Sequence, residues 1–322
     1  MITVEYKSSD GFGELRKKLP FRDTGCITAL GFFDGVHIAH RALISVAKKE
    51  ARELGLPLVI FTFSGKGEDF KSNTGRIYTD EEKCELLAEC GADYTLLCDF
   101  SALSSLSKES FVKDFLVNTM GAKTAVCGFN FRFGRGASGN ASDLDFLMRN
   151  LGGRCIKIDE FLHTGVLVSS TRIRALIEKK DTRGAAALLG KPYFITGKVS
   201  HGLGIGSSMG LPTVNTELQA DRFSPPRGVY ATVAVIDGRK YCAITNIGTC
   251  PTFGERDMHA ETFILGFDGD VYERQIKIYF IDYLREEKTF SSKKELIMQI
   301  DIDKTRAKSL IEELKWQEIG LN

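Results

Sequence analysis

Near Lys180-Asp181-Thr182-Arg183-Gly184 the sequence changes pattern, and no single fold class accommodates both sides of the change. Before it, apolar strand-like runs alternate with helical stretches; after it, short strand-like runs follow one another until a final helical tail. Alternation is the signature of a doubly wound α/β domain with a parallel sheet. A run of short strands with turn residues between them is an antiparallel pattern, most simply a small barrel. A chain of 322 residues is long enough for both. Two domains are expected, residues 1–184 and 185–322, with a helix over Ser292–Gln317 ending the second.

In the first half, strands are expected at 2–6, Ile27–Phe33, Leu56–Phe63, Tyr94–Cys98 and Lys123–Gly128. Helices are expected from Arg41, from Thr79 to about Cys90 and over Ser107–Met120. Ile27–Ile44 holds the informative junction: a buried strand, an Asp34-Gly35 break, then a helix start. A helix N-terminus at the carboxyl end of a strand is where open α/β sheets bind anions. His37 and His40 lie three apart in this turn, so two imidazoles beside the helix dipole could hold a polyphosphate. A second reading makes Asp34, His37 and His40 metal ligands, but no further ligand cluster follows at usable spacing.

Two more stretches carry candidate chemistry. Gly128–Asn140 places four glycines and Phe129, Phe131 and Phe133 directly after a strand, as a ligand loop or as a surface loop with its rings in the core. In Val168-Ser-Ser-Thr-Arg-Ile-Arg174, Ser169 or Ser170 can cap a helix over 173–179. That start is either a phosphate site with Arg172 and Arg174 beside it or simple capping with solvated arginines.

Together these stretches resemble the nucleotidyltransferase superfamily in the form used by FMN adenylyltransferases. Gly31-Phe-Phe-Asp-Gly-Val-His-Ile-Ala-His40 is similar to its Gly-x-Phe-Asp-Gly-x-His-x-Gly-His signature, with Ala39 in place of glycine. The resemblance implies that His37 and His40 bind ATP phosphates and stabilise adenylyl transfer. It also implies that Gly31, Phe33, Asp34, Asn130, Ser170, Thr171 and Arg174 form the ATP and flavin site. A second departure is Phe61-Thr-Phe-Ser-Gly-Lys-Gly67, where the family has a Phe-x-Pro-x-Pro segment. A more flexible loop is expected there.

In the second half, strands are expected at Phe194–Val199, Gly228–Ile236, Tyr241–Ile247, Glu261–Phe267 and Gln275–Leu284, with hairpin turns at Asp237-Gly238 and Asp268-Gly269. His201–Asn215 is a glycine-rich run that leads into Pro212-Thr213. Read from its residues, it is either a cradle of backbone N–H groups or a loop before a strand. Its Gly-x-Pro-Thr-x-Asn end, Asn246-Ile-Gly-Thr-Cys-Pro-Thr-Phe253, and the Glu261-led strand resemble riboflavin kinases. The resemblance implies Glu261 as the base that takes the ribityl hydroxyl proton. It implies Thr213 and Asn215 as Mg²⁺ ligands with ATP, and Gly202, Gly204, Gly206, Gly210, Pro212, Asn246 and Phe253 as further ATP or flavin contacts. Ser207 stands where that family has arginine, and Gly266 where it has aspartate.

The near balance of 43 Lys+Arg against 42 Asp+Glu argues against bulk attraction to nucleic acid or membrane. The N-terminus is not a secretory signal, no apolar run reaches membrane-spanning length, and the eight cysteines are scattered without a C-x-x-C pair. Reduced thiols in a cytoplasmic protein are expected. The whole chain thus resembles a bifunctional riboflavin kinase/FMN adenylyltransferase. This implies ATP, riboflavin and FMN as partners, no nucleic acid or membrane, and a monomer or weak homo-oligomer. Its rivals are a single-activity paralogue and a flavin-binding regulator.

Overall fold

A computed structural model describes residues 1–65, 75–200, 213–219, 221–249 and 258–313. The chain divides into two compact units, Met1–Val168 and Ser169–Asn322. The division falls ahead of the pattern change near residue 184 because two helices, α7 (Ser170–Glu178) and α8 (Thr182–Leu189), go with the second unit. The buried Thr182 hydroxyl, for example, donates to the Ile281 carbonyl.

The first unit is built on a six-stranded parallel sheet. Its strands are β1 (Ile2–Tyr6), β2 (Cys26–Leu30), β3 (Leu58–Phe63), β4 (Tyr94–Cys98), β5 (Ala122–Gly128) and, past two short pairing segments β6 (Arg132–Phe133) and β7 (Gly139–Asn140), β8 (Arg154–Ile158). The spatial order is β1-β4-β3-β2-β5-β8. All five residues of β2 are buried, as its apolar sequence requires of a central parallel strand. On one side of β2 the chain winds out through β3 and β4, and on the other through β5 and β8. This reversal is the topological switch point at which such sheets hold ligands. Helices α1 (Phe12–Lys18), α2 (Ile38–Leu54), α3 (Asp80–Glu89), α4 (Ser101–Ser104), α5 (Lys108–Ser110) and α6 (Ala141–Asn150) connect the strands.

The expected helix over Ser107–Met120 is present but is wound more widely from Phe111 to Thr119: the Met120 N–H and the Thr119 hydroxyl both reach carbonyls five residues back. The wider turn seats the Phe111 and Phe115 rings 5.5 Å apart against Phe61.

In the second unit, β11 (Phe194–Ser200), β12 (Thr213–Glu217), β13 (Gly228–Ile236), β14 (Arg239–Thr249), β15 (Met258–Ile264) and β16 (Gln275–Arg285) close a barrel in the order β11-β12-β15-β14-β13-β16. A two-stranded pair, β9 (Leu162–His163) and β10 (Val166–Leu167), ends the first unit. The turn between β13 and β14 is the expected Asp237-Gly238, both residues at positive φ (47° and 76°), which matches strand twist in a two-residue hairpin. Asp268-Gly269 is not a hairpin turn. Strands β15 and β16 are not neighbours in the barrel, and residues 265–274 form a longer crossing anchored by buried Val271. The last helix, α9 (Lys293–Glu313), lays Ala307 on Val229, Ala231, Ile244 and Leu284 and covers part of the barrel's outer face. Arg285 and Asp303 fasten it with a two-pronged ion pair (Nε–Oδ2 2.9 Å, terminal guanidinium nitrogen to Oδ2 2.8 Å) that is largely buried. Asp303→Ala strands the Arg285 charge, so a loss of about 3 kcal/mol in unfolding free energy by urea titration is expected.

Candidate active sites

In the first unit the turn from β2 to α2 is held in an unusual backbone. Phe33 (φ 49°) and Val36 (φ 38°) are both left-handed without being glycine, a strain that gathers where the surroundings enforce it. Phe33 is fully buried, and its ring meets His40 edge-on at 5.2 Å. A Cβ on residue 31 would stand 3.1 Å from that ring. Gly31 therefore makes room for Phe33, and both build the turn from beneath. Asp34 Oδ1 accepts from the Ile77 N–H at 3.0 Å and staples the turn to the segment before α3.

His37 is the N-cap of α2. Its Nδ1 accepts from the His40 N–H at 3.3 Å, so its proton sits on Nε2. The two imidazoles stack 3.5 Å apart at 14°. Burial pushes His37 down to about 4, and burial, then the neighbouring His37, pushes His40 well below the usual range. His40 Nδ1 is buried without a hydrogen-bond partner. Two neutral donors thus wait at a helix N-terminus, and an arriving polyphosphate favours their protonation. Ala39 lies within α2, where the backbone makes no demand for glycine. Because the unfolded chain titrates His37 near 6.5, it binds the proton first as pH falls. Stability is expected to drop between pH 6.5 and about 4, by about 3 kcal/mol from this group. His37→Asn keeps a cap acceptor and should flatten that slope in urea titrations at pH 7 and 4.5.

Around the turn, the altered Phe-x-Phe segment is anchored. Asp80 accepts from the Ser64 hydroxyl (2.7 Å) and the Gly65 N–H (3.1 Å), and pairs with Arg76 (3.2 Å) and Lys83 (3.3 Å). Burial alone would raise the Asp80 carboxyl, but Lys83, Ser64, Gly65 and Arg76 hold it below its ordinary value. Ser64, Gly65 and Arg76 are therefore tied to one carboxylate; residues 66–74, where the more flexible loop is expected, lie outside the described ones. Phe32, Phe63 and Phe100, at the carboxyl ends of β2, β3 and β4, form an aromatic cluster with ring centroids 5.1 and 5.3 Å apart. Phe32 is 47% and Phe100 40% exposed. Sequence reasoning missed this cluster. Of the rings it proposed instead, Phe133 belongs to the core and stacks with Phe131, while Phe129 is exposed. Asn130 is exposed in the turn after β5. Ser170, Thr171 and Arg174 lie on α7 in the second unit, and its cap is Ser169, which accepts from the Arg172 N–H.

The second unit aligns residues that are far apart in sequence. Asn215 pairs across the barrel with Glu261, Glu261 with Asn246, Asn246 with Val229, and Val229 with Arg285. Direct antiparallel partners share a face, so three separate motifs form one row. The Thr213 hydroxyl donates to Glu261 Oε1 at 2.7 Å. Thr213, Asn246 and Glu261 line a cavity of about 360 Å³, together with Phe263, Phe290 and Leu296. Asn246 Nδ2 donates to Glu287 Oε1 at 3.1 Å. Gly202, Gly204, Gly206, Ser207, Gly210, Pro212 and Phe253 lie outside the described residues. Gly266 sits at φ 68° just past β15, a conformation that favours glycine over the family's aspartate. Among the described residues no group of three or more His, Cys, Asp or Glu is placed to hold a metal ion.

Residues 20–172 match the FAD synthetase family model, and residues 189–311 match the riboflavin kinase model. The chain is 33% identical over 290 residues to the bifunctional riboflavin kinase/FMN adenylyltransferase of Bacillus subtilis (strain 168), covering 87% of this chain and 91% of that protein. The chain belongs to the bifunctional riboflavin kinase/FMN adenylyltransferase family. The Escherichia coli (strain K12) member is 35% identical over 294 residues, with 88% and 92% covered. A crystal structure described as a macrolide-efflux protein from Streptococcus pneumoniae superposes with a TM-score of 0.82 at 29% identity, over 96% of this chain and 99% of that one. Among the described residues no helix is long and apolar enough to cross a membrane.

Proposed function

We propose that this chain makes FAD from riboflavin in two ATP-dependent steps, one in each family segment, with the boundary between them near residue 184. The observation that carries the kinase reading is the row Asn215–Glu261–Asn246 beside an open cavity. There the terminal ribityl hydroxyl of riboflavin attacks the γ-phosphorus of ATP, Glu261 takes its proton, and ADP leaves as FMN forms. Thr213 and Asn215, two apart on β12, offer neutral oxygens to the magnesium that arrives with ATP. The apolar wall of Phe263, Phe290 and Leu296 suits the isoalloxazine ring.

In the first unit, the FMN phosphate attacks the α-phosphorus of a second ATP and pyrophosphate leaves. His37 and His40 hold the phosphates and stabilise charge as it develops, and no covalent enzyme intermediate is needed. Asp34 and the turn built on Gly31 and Phe33 orient them, with Asn130 as a further nucleotide or flavin contact. The exposed cluster Phe32–Phe63–Phe100 takes the flavin ring. Phe63→Ala is expected to raise KM for FMN about tenfold while KM for ATP stays within twofold, read from initial rates of FAD formation. The seven described cysteines are free thiols, which fits work in the reducing cytoplasm. Incubating the protein with riboflavin, ATP and Mg²⁺ and resolving the flavins by chromatography tests the whole reading. Riboflavin bound but left unconverted, with supplied FMN also unconverted, identifies a flavin-binding regulator instead.

A further inference from the structure

Glu287 follows β16 and belongs to none of the motifs, yet it reaches the row that carries the proposed kinase base. Its Oε1 accepts from Asn246 Nδ2 at 3.1 Å. It can do so because residue 248 is glycine: a Cβ there would stand 2.5 Å from that oxygen. A carboxylate accepts and does not donate, so the amide nitrogen of Asn246 has to face Glu287 and the amide oxygen has to face away. That oxygen is shielded from water and has no donor. Buried acceptors are rarely left this way, because each costs about 1–3 kcal/mol. Asn246 is also the cross-strand partner of Glu261, and both line the cavity.

We infer that Glu287 is a positioning residue: it holds Asn246 so that Oδ1 accepts a hydrogen bond from a second hydroxyl of the substrate's polyol chain, next to the one that gives its proton to Glu261. The pair selects for a hydroxylated chain, because a substrate lacking that hydroxyl leaves the oxygen unpaired in the complex. This rests on the kinase reading of the cavity. Removing Glu287 frees the amide to turn, so either end of it can meet the chain and the selection weakens.

The test compares kcat/KM for riboflavin and for 4′-deoxyriboflavin in the wild-type chain and in Glu287→Ala, Glu287→Gln and Asn246→Ala. The wild type is expected to favour riboflavin by about 10- to 100-fold. Glu287→Ala and Asn246→Ala should bring the preference below about threefold. Glu287→Gln, whose amide oxygen still accepts from Asn246, should keep it. A wild-type midpoint of urea unfolding checks that each preparation is folded. If Glu287→Ala fails that check, Glu287→Gln and Asn246→Ala decide. Wild-type discrimination in Asn246→Ala or Glu287→Ala overturns the inference. Equal loss in Glu287→Gln and Glu287→Ala also overturns it, since charge and not the acceptor would then matter. A wild-type chain that leaves riboflavin unphosphorylated overturns the kinase reading itself, a result separate from any change in selectivity.

Discussion

Replacing Glu261 with glutamine is expected to lower riboflavin phosphorylation by roughly 10²- to 10⁴-fold, while supplied FMN is still converted to FAD at the wild-type rate. The side chain keeps its size and can still meet the Thr213 hydroxyl, which now donates to Glu261 at 2.7 Å. What it loses is the ability to take a proton. The effect should therefore fall on kcat, with KM for riboflavin and ATP changed little. Glu261 is exposed at the cavity mouth, so the substitution creates no buried defect and the unfolding midpoint should not move. A variant that retains the wild-type phosphorylation rate would reduce this carboxylate to a structural partner of Thr213. The activities are separable because the kinase row lies wholly on barrel strands of the second unit, whereas the stacked histidines lie wholly in the first.

How far the sequence exposed these sites depends on whether local chemistry or long-range register made them. The β2–α2 junction was legible because its strand, turn and helix start are consecutive and each carries its own signal. The cap at Thr79 and its partner Glu82 form a capping box and start α3 where expected. Asn140 and Asp143 form a box of the same kind at the head of α6, but the glycine-rich stretch before it reads as a loop, and its glycines mask the signal of α6 and β8. The barrel's strands were legible as segments, and their order was not. Nothing local in Asp268-Gly269 reveals that β15 pairs with β12 and β14 and not with β16. Register is also what brings Asn215, Glu261 and Asn246 into one row, and it is invisible to any window of consecutive residues. Arg285 and Glu287 escaped notice for the same reason: each looks like a charge at a strand end until α9 and β14 supply its partner. The resemblance places Gly31 and Phe33 at the ligand, and what the fold adds is that Gly31 leaves room for the buried Phe33 ring.

The second large effect concerns His37 and His40. The double change His37→Asn with His40→Ala is expected to lower FAD formation from FMN by more than about 10³-fold, with FMN formation from riboflavin unaffected. Asparagine is chosen at position 37 because it is among the best N-caps. The acceptor that His37 Nδ1 offers to the His40 N–H is replaced, not deleted, and α2 keeps its start. The stacked arrangement makes the two single changes unequal to independent losses. With the rings 3.5 Å apart, removing either one opens space beside the other and relieves the desolvation that holds it neutral. The surviving imidazole then charges at a higher pH. In the His40→Ala variant, the titration of His37 followed by NMR should move up from about 4 toward 6.5. The two single-mutant losses in rate should accordingly fail to sum to the double-mutant loss. Additive losses together with an unmoved His37 titration would mean that the two rings act separately, one as cap and one as ligand. Wild-type FAD synthesis in the double variant would remove the turn from the active site altogether, and the neutral, buried pair would then be only a packing feature of the switch point.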